Sequence, residues 1–264
     1  MPPGEARPAG LGMYDAPELT TANDGFWAQV AGRLRARGVA GVPDRLTRGR
    51  KPDDLWTDPR LLLAQTCGWP LATRLAGQVA VVATPHYALP GCEGARHRAF
   101  VVVRAADPAG EPAALRGRRF ALNAWDSNTG MNLPRALFAP LARDGRFFGQ
   151  IVVTGSHRAS LAAVAAGRAD AASVDCVSFG LLQRHAPAAV AGLRVLAETA
   201  PSPALPFITR ADAPKAELAA LREALDLPVP ALALSGVSVL GLGAYDALRG
   251  LAAAAARLGY DALA

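Results

Sequence analysis

The sequence has only three cysteines, and no two of them stand at the Cys-x-x-Cys spacing of zinc sites. Its four histidines show no metal-ligand spacing either, so we predict no metal site. The odd number of cysteines leaves at least one thiol free. A disulfide between Cys67 and Cys92 requires an oxidising compartment, and buried thiols are the alternative that the sequence leaves open.

The sequence also lacks the segments that direct a chain to or through a membrane. Residues 1–10 carry proline, glycine and charged side chains but no apolar stretch, and hence no signal-peptide pattern. We therefore expect a periplasmic location if a leader has been removed and a cytoplasmic one otherwise. The uncharged segment 227–245 is interrupted by prolines and glycines, so no transmembrane segment is predicted.

Sequence motifs of catalysis are missing as well. The chain contains no Gly-x-Ser-x-Gly elbow, no Walker loop and no His-Glu-x-x-His helix. Gly241 and Gly243 are not followed by the third glycine of a dinucleotide-binding loop. We therefore predict no catalytic residue and no cofactor.

The composition is that of a folded protein with a mildly basic surface. Hydrophobic residues make up 51% of the 264 residues and charged residues 19%, enough for a sizeable core in one large or two moderate domains. Lysine and arginine number 28 against 22 acidic residues, a net charge of +6. Because the basic residues are scattered, no nucleic-acid partner is expected, although the positive field attracts anionic ligands.

Short apolar runs alternate with amphipathic stretches along the chain, which is the pattern of an α/β protein. Helices are predicted between many of the strands, and the last of them is alanine-rich and ends at Gly259. Strands are predicted at residues 11–14, 42–46, 61–65, 79–84, 100–104, 119–123, 150–154, 172–175, 193–197 and 206–209.

Three predicted strand-to-helix junctions are polar, at residues 65–68, 126–130 and 154–158. Ligands of open α/β sheets bind beyond the carboxyl ends of strands, where helix N-termini favour phosphate, sulfate or carboxylate. At the second junction Ser127 and Thr129 add hydroxyl donors. One such junction alone is consistent with an ordinary helix cap, but the three together predict a ligand site.

For two further residues near these junctions, the sequence predicts more than one role. His157 follows the candidate cap Ser156 and either donates to an anion or lies on the surface. Asp175 ends a strand at the same edge of the sheet. It either holds a cationic group of the ligand, caps the next helix or pairs with an arginine, and the sequence leaves these readings open.

Residues 154–175 carry a Gly-x-His-x-x-Ser-like turn, a short helix, a Gly-x-x-Asp-Ala-Ala segment and a strand that ends in aspartate. With this pattern the chain resembles the phosphate-, phosphite- and phosphonate-binding family of ABC-transporter receptors. The turn 126–130 and the segment 65–70 also resemble family features, although Asn128 stands where the family often has a hydroxyl residue. The resemblance covers residues 11–260, and its pattern positions are Gly155, His157, Ser160, Gly167, Asp170, Ala171, Ala172 and Asp175.

The resemblance implies an α/β, two-lobed, type II periplasmic-binding-protein-like fold whose lobes close on a ligand in the cleft between them. One lobe is expected to contain residues 10–100 and 206–264 and the other residues 105–202, with hinge strands near 100–104 and 203–209. The implied function is that of a monomeric receptor that binds a small phosphate- or phosphonate-like anion or zwitterion for an ABC permease.

The resemblance also implies which residues bind the ligand, and we expect Asp175 to select a positively charged group if the ligand has one. Two alternatives use the same fold, a ligand-sensing module and an enzyme resembling the synthases of the thiamine pyrimidine precursor. The enzyme requires a lysine for pyridoxal phosphate, and Lys51 and Lys215 do not lie at a strand-to-helix junction. The predicted ligand-binding residues are Tyr14, Gln65, Cys67, Asp126, Ser127, Asn128, Thr129, Ser156, His157 and Asp175.

Overall fold

The structure is a computed structural model that describes residues 6–264. The first five residues, which belong to the segment without a signal-peptide pattern, lie outside the described residues. The chain divides into two compact units. The first unit contains the described residues up to Ala88 together with Pro203–Ala244, and the second contains Leu89–Ser202 and Tyr245–Ala264.

Helices lie between many of the strands along the described residues, as the apolar pattern predicts. The strands are β1 (Ala9–Gly10), β2 (Leu63–Gln65), β3 (Val79–Tyr87), β4 (Arg96–His97), β5 (Ala99–Arg104), β6 (Arg119–Leu122), β7 (Gln150–Val153), β8 (Ala171–Asp175), β9 (Leu193–Glu198), β10 (Ser202–Pro203), β11 (Phe207–Arg210) and β12 (Leu234–Ser238). The α-helices are α1 (Thr20–Ala36), α2 (Pro52–Trp56), α3 (Gly68–Thr73), α4 (Leu133–Phe138), α5 (His157–Ala165), α6 (Cys176–His185), α7 (Lys215–Leu225) and α8 (Asp246–Arg257).

The first unit is built on a five-stranded mixed sheet in the order β1-β2-β11-β3-β12. Strands β1 and β2 run parallel, whereas β11 is antiparallel to both β2 and β3. Helix α1 packs against α7, and α7 lies against β3. The buried side of α1 carries Phe26, Val30 and Leu34 at the four-residue spacing that predicts this helix.

The second unit has its own five-stranded sheet, in the order β7-β6-β8-β5-β9. Strand β6 runs parallel to β7 and β8, whereas β5 is antiparallel to β8 and β9. The parallel strands β6, β7 and β8 therefore end at one edge of the sheet. Each of them leads into a helical segment, and predicted site residues lie within or directly before each of these segments.

Four phenylalanines in mutual contact form part of the core of the second unit. The rings of Phe120 and Phe148 stack at 4.4 Å between centroids, and those of Phe138 and Phe147 stack at 4.7 Å. Phe120 belongs to β6 and Phe138 to α4. Contacts between these rings therefore hold α4 in place over the sheet.

Two of the predicted strands are wrong. The first strand is β1 at Ala9–Gly10 rather than at 11–14, where the backbone turns and Tyr14 N–H donates to the carbonyl of Leu11. Residues 42–46 form no strand. Their carbonyls are used by side chains instead, because Trp27 Nε1 donates to the carbonyl of Pro43 and Arg35 donates to that of Val42.

The division of the chain also differs from the predicted lobes. Residues 245–264 belong to the second unit, where α8 packs against α4, and not to the lobe that contains residues 10–88. Residues 89–104 belong to the second unit as well. Strand β5, which contains the predicted hinge residues 100–104, is an internal strand of this unit's sheet and pairs with β8 and β9.

Candidate functional site

Residues 126–130, called the polar turn below, join β6 to a helical segment that starts with a π-helical turn at Asn128–Asn132 and continues as α4. Ser127 is the N-cap, because its Oγ accepts a hydrogen bond from Gly130 N–H at 3.0 Å. The hydroxyl proton of Ser127 is not used by this bond. Ser127 and Thr129 are buried, whereas Asp126 is exposed.

The side chain of Asn128 is completely buried and is engaged inside the second unit. Its Nδ2 donates to Ser202 Oγ at 3.1 Å, and its Oδ1 accepts from Asn132 Nδ2 at 3.2 Å. Both ends of the amide therefore hold the polar turn in place. The Asn128 side chain therefore has a supporting role in this arrangement.

The polar turn contacts the next junction directly. Thr129 Oγ1 lies 3.0 Å from Nε2 of His157, the first residue of α5, and Ser173 Oγ of β8 donates to the Thr129 carbonyl at 2.6 Å. Burial lowers the pKa of His157, and the nearby Asp175 carboxylate opposes this effect only in part. His157 is therefore neutral at neutral pH and has one N–H to donate.

Ser156 and Asp175 both cap helices. The exposed Ser156 is the N-cap of α5, and its Oγ accepts from Ala159 N–H at 3.1 Å. The buried Asp175 is the N-cap of α6, where its Oδ1 accepts from the backbone N–H groups of Val177 and Ser178. The sequence leaves three roles open for Asp175, and the structure shows one of them, the helix cap.

The second oxygen of Asp175 faces a histidine that sequence reasoning did not select. His97 Nδ1 lies 2.9 Å from Asp175 Oδ2, and both side chains are almost fully buried. Burial acts to raise the pKa of Asp175, but His97 and the capping N–H groups outweigh it and hold this pKa below its ordinary value. No local pattern identifies His97, because it lies 78 residues before Asp175 and meets it only through the pairing of β5 with β8.

Asn123 is a second polar residue at this edge that sequence reasoning did not select. Within the part of the chain that the structure describes, its buried Oδ1 has no hydrogen-bond partner. The same atom lies so close to Gly130 that a Cβ at Gly130 would stand 1.7 Å from it. The available signal was its position, because Asn123 is the last residue of the predicted strand before the polar turn.

In the first unit, two of the three predicted ligand contacts share a neighbour. The rings of Tyr14 and Tyr87 pack edge to face at 5.6 Å, and Gln65 Nε2 lies 3.3 Å from the Tyr87 hydroxyl. Gln65 Nε2 also donates to the Leu205 carbonyl at 3.1 Å. Cys67 occupies the N-cap position of α3 and is half-buried.

A cavity of about 290 Å³, lined by polar and apolar residues, lies beside Gln65 within the first unit. Its lining includes Asp15 and Arg48, whose side chains form an ion pair at 2.6 Å, and the backbone of Gly12. Trp56 and Leu55 are among its apolar lining residues. Gln65 is therefore the predicted residue of this unit that lines an observed cavity.

Other features of the described residues concern the alternative enzyme function, the metal site and the membrane segment. Lys51 and Lys215, the lysines available to a pyridoxal-phosphate enzyme, are both exposed, at the starts of α2 and α7. Among residues 6–264, no group of three or more histidine, cysteine or acidic side chains could hold a metal ion. No helix in that range is both long and apolar enough to span a membrane.

Comparison with known proteins identifies the family. The model of the family described as ABC transporter, phosphonate, periplasmic substrate-binding protein matches residues 61–226. No curated protein matches the chain in sequence.

Solved structures with similar folds cover nearly the whole chain. A binding protein component of an ABC phosphonate transporter from Pseudomonas aeruginosa has a TM-score of 0.70 at 15% identity, over 96% of this chain and 88% of its own. PhnD1 from Prochlorococcus marinus, in complex with methylphosphonate, has a TM-score of 0.69 at 13% identity, over 91% and 94%. A Xanthomonas citri protein bound to ATP has a TM-score of 0.63 at 19% identity, over 90% and 95%.

These structural likenesses confirm the predicted α/β, type II periplasmic-binding-protein-like fold class. The family match spans more than half of the chain, and it includes the polar turn, His157 and the strand that ends at Asp175. The chain therefore belongs to the family of periplasmic substrate-binding proteins of phosphonate ABC transporters.

Proposed function

We propose that the chain is a solute receptor that binds a phosphorus oxyanion, such as phosphate or an alkylphosphonate, through the polar turn and His157. The observation that carries this proposal is the 3.0 Å contact between Thr129 Oγ1 and His157 Nε2. This contact brings together the two polar junctions that follow the neighbouring parallel strands β6 and β7. An ABC permease as partner and a periplasmic location are part of the same proposal, and family membership supports both.

The chemistry of the polar turn suits a tetrahedral oxyanion. The first turn of a helical segment has backbone N–H groups without partners in the helix, and its dipole favours negative charge. The hydroxyl of Ser127 supplies a further donor. Thr129 and neutral His157 supply one more between them, because one of their two protons is used in the hydrogen bond that joins them. Because these groups are mostly buried, their hydrogen bonds to an anion compete less with water than exposed ones do.

In the first unit, Tyr14, Gln65 and Cys67 remain predicted ligand contacts, and Gln65 lines a cavity together with Asp15 and Arg48. The Asp175 carboxylate is occupied by the N-terminus of α6 and by His97. We therefore base the proposal on recognition of the anion and assign no selection of a cationic group.

The test is titration calorimetry of ligand-stripped protein with inorganic phosphate, methylphosphonate, sulfate and acetate. We expect binding of at least one phosphorus oxyanion, and a loss of roughly tenfold or more in affinity when Ser127→Ala and Thr129→Ala are combined, because hydrogen bonds to charged groups contribute about 1.5–3 kcal/mol each. Affinity is the required measurement, because removing the Ser127 cap also lowers stability.

A matched control removes two hydroxyls elsewhere. Thr57 and Thr73 are exposed, and each donates to a backbone carbonyl one turn earlier at 2.8 Å. The combined variant Thr57→Ala and Thr73→Ala should bind as tightly as the wild type. Wild-type affinity in the Ser127 and Thr129 variant, or binding of carboxylates alone, contradicts the proposal.

A further inference from the structure

Two cysteines far apart in sequence lie side by side in the second unit. Cys92 Sγ is 3.5 Å from Cys176 Sγ, although 84 residues separate them along the chain. Cys176 is the first residue of α6 and is fully buried, whereas Cys92 is half-buried in the loop before β4. We call these two side chains the thiol pair.

The backbone around the thiol pair is held close by two glycines. Gly91 has φ +83°, and a Cβ at this position would lie 2.9 Å from Cys176 Cβ, so that only glycine lets the loop approach α6 so closely. One turn further along α6, a Cβ at Gly180 would lie 2.9 Å from Leu89 Cδ2. The loop 89–92 is therefore docked along one face of α6, with Cys92 against Cys176.

A disulfide needs its two sulfur atoms at about 2.05 Å, with the Cα atoms about 4.4–6.8 Å apart. From the observed 3.5 Å the sulfur atoms have to approach by about 1.5 Å, a distance that side-chain rotation can provide where backbones are already packed together. We propose that the thiol pair is a disulfide site, oxidised to a Cys92–Cys176 bridge by a small-molecule disulfide or a disulfide oxidoreductase, while Cys67 stays unoxidised.

The reaction is a two-step thiol–disulfide exchange. The Cys92 thiolate attacks a sulfur of the oxidant, forms a mixed disulfide and expels a thiolate, which takes up the proton that Cys92 released. The Cys176 sulfur then attacks the Cys92 sulfur, and the second thiol of the oxidant leaves with the proton of Cys176. The two protein thiols are oxidised to one disulfide, and one disulfide of the oxidant is reduced to two thiols.

The environments of the two thiols determine which of them reacts first with the oxidant. The contact with Cys92 and burial both raise the pKa of the Cys176 thiol far above its ordinary value, so Cys176 is not the thiolate that meets the oxidant. Cys92 is the partly exposed member and is the entry point. The bridge would fix the loop 89–92 to the start of α6, next to the buried pair of Asp175 and His97.

The test is oxidation of the purified full chain with glutathione disulfide, followed by denaturation, alkylation with iodoacetamide and peptide mapping without reduction. We expect one alkylated cysteine, Cys67, and a peptide that links Cys92 to Cys176. Closing an 84-residue loop should also raise the melting temperature by roughly 5–10 °C, and dithiothreitol should reverse the increase.

Variants of single cysteines separate the pair from the third thiol. Cys67→Ser should form the bridge and show the same rise in melting temperature. Cys92→Ser, at the half-buried position, should keep the fold by circular dichroism and lose both responses, and Cys176→Ala should lose them too. Three alkylated thiols in the oxidised wild type, or a linked peptide containing Cys67, overturn the proposal. Neither result bears on oxyanion binding, which is measured separately.

Discussion

The carboxylate of Asp170 is held by three hydrogen bonds from one residue. Arg119 donates to it from Nε, from Nη2 and from its backbone N–H, at 2.8–3.1 Å. These bonds, with the side chain of Arg119 first among the causes, lower the pKa of Asp170 to about 2. Asp170 belongs to the sequence pattern that identifies the family, and its role in this structure is to join the start of β8 to β6.

The pH dependence of stability follows from this lowered pKa. A carboxylate whose pKa is lower in the folded chain stabilises the fold above its unfolded pKa of about 3.9, and this contribution disappears as the pH falls through about 2. We expect Asp170→Asn to lower the free energy of unfolding by about 1–2 kcal/mol at pH 7, allowing for solvent screening. Urea unfolding of the variant and the wild type at pH 7, 4 and 2.5 measures this difference, which should shrink as the pH falls.

Asp212 provides the control for Asp170. It pairs with Arg210 at 3.0 Å, but its side chain is 85% exposed. Asp212→Asn should therefore change the free energy of unfolding by less than about 0.5 kcal/mol at every pH. An equal effect of the two substitutions would mean that the bonds from Arg119 contribute no more than a surface ion pair.

At the scale of secondary-structure elements, the polar turn requires glycine at position 130, because there is no room for a Cβ there. A Cβ at Gly130 would lie 1.7 Å from Asn123 Oδ1 and 3.1 Å from Ser127 Oγ, the hydroxyl that caps the turn. We expect Gly130→Ala to destabilise the protein by about 1–3 kcal/mol and to weaken oxyanion binding, because the turn has to shift. Chemical denaturation and calorimetry give the two quantities.

Two further variants identify the cause of this effect. Gly250 lies in α8 with open space around its Cα, so Gly250→Ala should raise stability by about 0.5–1 kcal/mol through helix propensity alone. Adding Asn123→Ala to Gly130→Ala removes the side chain in the way and should restore part of the lost stability. If it restores none, the clash with Asn123 is not the cause.

Most elements of the fold could be predicted because their signals are local. The valine-rich runs at β3 and β5 are typical of strands, and both strands were predicted within a few residues. Residues 42–46 could not be assigned in this way. Their carbonyls are taken by Trp27 and Arg35, which lie in the preceding helix, so the decisive contacts are not contained in the segment itself.

At the scale of the whole molecule, the C-terminal segment joins the second unit through buried contacts. Leu248 and Tyr260 are fully buried, and the Leu248 carbonyl accepts from Asn132 Nδ2 beside the polar turn. We expect Leu248→Ala to cost about 2–4 kcal/mol, the range for a large apolar residue removed from a core. Hydrogen exchange should accelerate in β6 and β8 and stay unchanged in β2 and β3.

Leu258 is the control for this prediction, because it lies in the same segment and is 57% exposed. Leu258→Ala should leave both stability and exchange close to those of the wild type. Faster exchange in β2 and β3 of Leu248→Ala would instead assign the segment to the first unit, as the sequence resemblance implied.

The sequence by itself determined the α/β class, the strand-to-helix junctions and the family, because apolar periodicity, helix caps and the spaced pattern at 154–175 are local properties of the chain. Only the tertiary structure decided that α8 packs in the second unit and that Cys92 lies beside Cys176. It also decided that the Asn128 side chain forms hydrogen bonds that stabilise the polar turn. Each of these depends on contacts between residues dozens of positions apart, such as the 84 between Cys92 and Cys176. Local patterns carry no information about such partners, because packing of the whole unit selects them.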